Sequence, residues 1–485
     1  MTKKSLVPLS TRRAFLVTGS GACWAPLLSA AQPPSKPSCQ ERQIKPVGPA
    51  SRYVPAIRAA FVRRKGNYGM LWPGAIWDGE AAEKSYRAKI AAAAKQLDLR
   101  IDLKPAPIYS AEEADQWLGE AKEAKPDGLL IVLLDRQQHA WPTAGKAVDT
   151  RIPTVVFSPI GTSFTTNTAS ISRREGVFIA STDDFRQVTY GLKMLKAGAK
   201  LREMRFIVLQ GTERRDTVLE PFGTKLRYLP AREFLEEYQK TPLTAEVKRL
   251  GLARIQGATR MTGATQQDVF NGVKSYVVAR AILEREDGDG ITMDCLGALG
   301  NTKVSLPCIA WSTMLDHGIP AACEADLGAC VTHALVQLLF DRPGFQQDPV
   351  AETAKQCLIG AHCTCPTRLS GFDKPPEPYF LSHHHGARDA VPVPRWKIGQ
   401  PVTVADVLLP SAQNKKAQLL VSSGKVVENI SVPPAGGCVV SVAVKLEGVT
   451  DLLAYPGFHQ IFFYGDYKQE LASYARLFHI EPRLI

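Results

Sequence analysis

From about Arg52 onward the chain alternates short runs that are apolar throughout with longer stretches whose apolar residues recur every three or four positions. "YVPAIRAAFVRR" predicts an opening strand, "GEAAEKSYRAKIAAAAKQLDL" a helix, and "DGLLIVLLD", "IPTVVFS" and "EGVFIAS" further strands with no polar alternation. A strand that is apolar on both faces must be covered on both faces. This predicts a parallel sheet flanked by helices. The same grammar then restarts. "FRQVTYGLKMLKAGAKL" predicts a helix, "MRFIVLQG" a strand, "PLTAEVKRLG" a helix, "QQDVFNGVKSYVVARAILERE" a helix ending before the turn-forming "DGDG", and "ITMDCLGAL" a strand.

Beyond about Pro349 the period falls to two. "GQPVTVADVLL", "KAQLLVSSGKVVENISV" and "GCVVSVAVKLEGV" alternate between Gly, Pro and Asn boundaries, and "YKQELASYARLFHI" predicts a terminal helix. The expected fold is therefore α/β: two doubly wound parallel-sheet domains, at 52–180 and 181–347, followed by a β-rich, barrel-like domain at 348–485. No internal repeat is visible.

Composition changes this picture little. A chain of 485 residues, 45% hydrophobic and 22% charged, has the make-up of a multidomain globular protein. The net charge of +12 is scattered instead of gathered on one face, which argues against a nucleic-acid partner. No apolar stretch is long enough to span or anchor in a membrane. The N-terminus differs in kind. Lys3 and Lys4, then Arg12-Arg13 before an apolar stretch and the small residues Ser29-Ala30-Ala31, read as a twin-arginine signal over 1–31, which implies export to a periplasm; a cytoplasmic location is the alternative. A Pro/Ser/Lys-rich linker over 32–51 follows. Ten cysteines without regular spacing do not suggest a disulfide framework, so most are expected to be buried thiols.

The densest polar cluster lies in "AACEADLGACVTHALVQLLFDRPGFQQDPV". Glu324 and Asp326 open an apolar helix, where the helix dipole alone would favour carboxylates. Asp348, in what reads as a loop beyond that helix, has no such task. Here the chain resembles the L-fucose isomerase family. The matching features are Glu324 in "CEADLGA", Asp348 24 residues on in "FQQDPV", Cys363-Thr364 in "LIGAHCTCP", and His459 in "GFHQIFFYGD". The resemblance is strongest from Asn271 to the C-terminus and covers the N-terminal half only in architecture. It implies an aldose–ketose isomerase dependent on Mn²⁺, or on another divalent cation such as Mg²⁺, that assembles as a homo-oligomer, a trimer or hexamer. Glu324, Asp348 and His459 would be the metal ligands, with Glu324 and Asp348 also exchanging the substrate proton.

Two carboxylates and one imidazole make an oxygen-rich site that suits Mn²⁺ or Mg²⁺ and leaves positions open for a sugar's oxygens. Three further residues are candidates for substrate binding. His362 lies beside the Cys-Thr pair, Asp294 ends a buried strand where it could equally act as a helix cap, and Phe458 stands where the family has Asn. "HCTC" lacks the second pair that structural zinc needs. "SHHHGARD" reads as a polar loop at a cleft mouth. Gly457, just ahead of His459, would let the backbone approach an ion. Two other functions stay open: a sugar-binding protein without catalysis, and a metal-dependent enzyme of another reaction on sugar derivatives.

Overall fold

The computed structural model describes residues 46–485 apart from 67, 72–75, 137, 385–387, 413 and 432–437. The signal expected over 1–31 and most of the linker lie outside the described residues. The first sheet is five-stranded and wholly parallel. Its order is Arg100–Leu103, Ala56–Val62, Gly128–Leu133, Thr154–Phe157 and Val177–Ala180. All six residues of Gly128–Leu133 are buried, because helices cover both faces of this central strand.

The second sheet carries Ala321–Cys323, Gly290–Met293, Arg205–Leu209 and Thr224–Leu229 in parallel, with Arg215–Leu219 antiparallel at its edge. The helix Gln266–Glu286 packs against it. Thr265 and Asp268 form a capping box at its start, and Asp287 in the left-handed region (φ 55°) ends it ahead of the expected turn. "ITMDCLGAL" is not one strand. The strand stops at Met293, and Cys295–Leu299 forms a short helix that Asp294 caps.

The period-two segments close into an antiparallel barrel of six strands. In order they are Pro401–Leu408, Gln460–Tyr464, Phe345–Glu352, Cys357–His362, Val440–Leu446 and Gln418–Asn429, the last pairing back onto Pro401–Leu408. Closure removes free sheet edges. Asp348 accordingly stands inside a barrel strand, not in the loop expected for it. The "SHHHGARD" segment also differs from expectation. His383 and His384 end the strand Tyr379–His384, where the pairing register slips between them, while His385 lies outside the described residues.

The apolar interior is shared between these parts. One core cluster joins Phe61 and Val132 of the first sheet, Phe206 and Val208 of the second, Phe463 of the barrel and Tyr474 of the terminal helix Lys468–Leu477. Each such side chain taken fully from water contributes about 1.5–3 kcal/mol, so the seam between sheets and barrel is held firmly. No helix among the described residues is long and apolar enough to cross a membrane.

Candidate metal centre

The centre forms where the second sheet abuts the barrel. The strand Ala321–Cys323 ends at this junction, and Gln346 of the barrel completes it. The Gln346 side-chain oxygen accepts from the Cys323 amide at 2.9 Å, and its amide group donates to the Cys323 carbonyl at 3.4 Å. Residues two apart on a strand share a face, so fixing Gln346 also brings Asp348 toward the residue after Cys323. That residue is Glu324. It and Ala325 adopt left-handed backbone (φ 62° and 55°), a strained turn that swings the Glu324 carboxylate away from the helix it precedes.

His459 arrives from the neighbouring barrel strand. Phe345, Gln346 and Gln347 pair with Phe462, Ile461 and Gln460, so the next step along the register sets His459 against Asp348. The imidazole Nε2 lies 3.2 Å from Asp348 Oδ1 and 3.4 Å from Glu324 Oε2. Its other nitrogen, Nδ1, donates to Asp326 Oδ2 at 2.9 Å. Glu324 and Asp348 thus both approach the same imidazole nitrogen, although Asp348 is not in the group whose ligand atoms all lie within 4.8 Å of one another, which is Glu324, His362 and His459.

Asp326 is the functional residue that the sequence reading treated as charge compensation alone. One of its oxygens does cap the helix Leu327–Phe340 through the Ala329 amide, and the other holds His459. A carboxylate on Nδ1 keeps a proton there and aims Nε2 into the site, the usual support for a metal-bound imidazole. The sequence signal was its position two residues after Glu324.

His362 also faces the centre, with Nε2 3.8 Å from Glu324 Oε1. One ligand atom each from Glu324, His362 and His459 lie within 4.8 Å of one another. The His362 ring differs from His459 in its tautomer. Its Nδ1 accepts a long bond, 3.5 Å, from the Thr364 amide, which leaves the hydrogen on Nε2, directed into the site. That suits donation to a carboxylate or substrate oxygen better than ligation.

Electrostatics sets the two rings apart. Burial drives the His362 pKa down to about 4, so the ring is neutral. Burial also opposes charge on His459, but the hydrogen bond to Asp326 and the carboxylates of Asp348 and Glu324 close by overcome it and raise the pKa to about 11. The neighbouring His459 ring holds Glu324 below its ordinary range. Asp348 is held low by the same partner in spite of burial. Three polar atoms at this point, His459 Nε2, His362 Nε2 and Asp348 Oδ1, are buried without a hydrogen-bond partner. Two carboxylates and an oriented imidazole with unsatisfied inward-facing atoms fit a divalent cation.

The remaining candidates fall elsewhere. Asp294 acts as the cap, its Oδ1 accepting from the Gly297 amide at 3.0 Å. Phe458 is 59% exposed and packs beside the His459 ring, 4.5 Å between centroids, without lining the adjoining cavity. Gly457 serves a turn rather than an ion. Its φ is +84°, and a Cβ there would stand 2.6 Å from Asp406 Oδ2.

No family model and no curated protein matches this chain. Among solved structures, an ABC transporter solute-binding protein from Burkholderia multivorans, with an unknown ligand assigned as alpha-D-erythrofuranose, matches at 13% identity. The match covers 60% of this chain and 95% of that one, with a TM-score of 0.20. A XylFII–LytSN complex matches at 13% identity over 50% and 79% with a TM-score of 0.18, and a XylFII molecule at 13% over 60% and 96% with 0.19. Superposition this poor carries no argument about fold or function.

Proposed function

We propose that this chain is a divalent-cation-dependent aldose–ketose isomerase of the fucose-isomerase kind, with Glu324, Asp348 and His459 holding Mn²⁺ or a similar cation. The observation that supports it most is His459 Nε2 set between Glu324 and Asp348, with Nδ1 fixed by Asp326. The ionised Glu324 and Asp348 beside a neutral histidine donor are groups of the kind that proton transfer uses. When bound, the cation would supply Lewis-acid stabilisation of the negative charge that develops on two neighbouring substrate oxygens.

The chain's own residues do the rest. Glu324 and Asp348, both ionised at neutral pH, are the groups able to take a proton from C2 of an open-chain sugar and return it at C1. The His362 Nε2–H can donate to a substrate oxygen as charge builds there. Asp326 holds the His459 ring in one orientation throughout. In this reading the protein is exported through its twin-arginine signal and works as a trimer or hexamer.

The second reading, an exported sugar-binding protein without turnover, is the one toward which the solute-binding structures point by name; at TM-scores of 0.18–0.20 they do not carry it. A metal-dependent enzyme of another reaction through an enediolate would use the same groups. One experiment separates them: a screen of aldoses with Mn²⁺ in deuterated water. The isomerase reading expects ketose formation, deuterium at C1 or C2, and turnover abolished by Glu324→Gln. Saturable sugar binding with neither ketose nor exchange selects the binding protein, and turnover by Glu324→Gln equal to wild type removes the assigned role.

A further inference from the structure

The sulfur atoms form a second constellation. A cavity of about 220 Å³ opens beside Glu324 and His362, and five cysteines line it: Cys295, Cys308, Cys323, Cys363 and Cys438. All eight cysteines among the described residues are reduced. Buried thiols are ordinarily small apolar fillers packed one at a time. These five instead face one void. Met293 pairs with Cys323, so Cys295, two residues on, joins it in one wall of the void, and Cys363 and Cys438 flank the paired residues His362 and Val440. Cys323 Sγ donates to Thr364 Oγ1 at 3.2 Å.

The fold explains the convergence. Cys323 is the last residue of the strand Ala321–Cys323, and Cys295 lies two residues beyond the end of its parallel neighbour Gly290–Met293, the edge at which α/β sheets present ligand groups. Cys363 follows the barrel strand that ends at His362, and Cys438 precedes the strand Val440–Leu446 that pairs with it. His384 completes the wall. Clustered sulfurs with imidazole nearby form a soft donor set, unlike the oxygen-rich set of Glu324 and Asp348. The two sets would sort metals by softness.

We propose that the thiol-walled cavity is a binding site for a soft, thiol-seeking metal cation such as Cu⁺, held first by Cys295 and Cys323 and distinct from the carboxylate–imidazole centre beside it. Binding converts each ligating thiol to a thiolate, so one cation on the Cys295–Cys323 pair releases two protons and involves no change of oxidation state. The site does not depend on the isomerase reading.

Cd²⁺ is the probe, added under anaerobic conditions to the full chain after thiol quantitation, with the ultraviolet thiolate-to-cadmium charge-transfer band as the readout. Carboxylates and imidazoles give no such band. The expected result is saturation at a whole-number stoichiometry in wild type and loss of the band in the Cys295→Ser/Cys323→Ser double variant. The band should be retained in Glu324→Gln and in His459→Gln. Circular dichroism checks that each variant is folded, and Cys363→Ser serves as a milder variant expected to weaken the band. No band in the reduced wild type, an undiminished band in the folded double variant, or a Cys295–Cys323 disulfide in the anaerobically isolated chain would each overturn the proposal.

Discussion

Competition between protons and metal gives the site a measurable pH signature. Without a cation, His459 sits among three carboxylates with its pKa raised to about 11, against 6.5 for an ordinary histidine. Ligation needs the Nε2 lone pair, so a bound cation must displace that proton. At pH 7 the displacement costs about 5 kcal/mol, the four-unit gap below 11 at about 1.36 kcal/mol per unit, and the cation's own attraction to Glu324 and Asp348 must exceed it. Each rise of one pH unit lowers the cost by about 1.4 kcal/mol. Mn²⁺ affinity should therefore rise roughly tenfold per pH unit between about pH 6 and about pH 9, with one proton released per ion. Glu324 and Asp348 are already ionised and add no further protons in that window. Titration calorimetry in buffers of different ionisation enthalpy counts the protons directly, and His459→Gln should flatten the slope. Affinity that is independent of pH, or binding without proton release, would refute His459 as a ligand. The sign carries over to folding. Because the folded pKa lies above the unfolded one, the ion-free protein keeps this stabilisation below about pH 6.5 and loses it as pH climbs toward about 11.

Asp326→Asn keeps an oxygen to cap the helix Leu327–Phe340 but loses the charged partner of His459. It should lower the melting temperature of the ion-free protein at neutral pH, because Asp326 is the leading partner that raises the His459 pKa, and weaken Mn²⁺ binding about 10–100-fold, read by calorimetry. Asp406 is 4% exposed, and burial, with Asp326 nearby, raises its pKa to about 7. A raised carboxylate pKa means that the folded state loses stability as pH rises from about 4 through 7. Asp406→Asn should therefore stabilise the protein by roughly 2–4 kcal/mol above pH 7 and have little effect near pH 4, as measured by thermal melts across pH.

Much of this site was readable before any coordinates, for reasons that differ from residue to residue. The apolar run "GLLIVLL" reported burial on two faces, and the alternation of "PVTVADVLL" gave a strand, though every residue from Val402 to Val407 is buried and not one face alone. Glu324, Asp348 and His459 were legible through their order, which matches a known pattern. Their convergence was expected from the resemblance alone; the contacts behind it, Gln346 clasping Cys323 and the register that pairs Gln347 with Gln460, were not readable. Asp326 stayed hidden because the helix dipole already accounted for a carboxylate at that position. The five cavity thiols were invisible for a related reason: their spacing of tens of residues carries no motif, and only the junction of sheet and barrel brings them together. Asp294 had two readings, a group at the end of a buried strand and a helix cap, and its side chain caps the five-residue helix Cys295–Leu299.

The central claim is that Glu324, Asp348 and His459 share one cation, and diffraction from Mn²⁺-soaked crystals at the manganese absorption edge tests it directly. The account predicts a single strong anomalous peak about 2.0–2.6 Å from a carboxylate oxygen of Glu324, a carboxylate oxygen of Asp348 and Nε2 of His459, with Asp326 still on Nδ1. Full Mn²⁺ occupancy elsewhere, with His459 Nε2 still facing Glu324 and Asp348 and no peak between them, would contradict it.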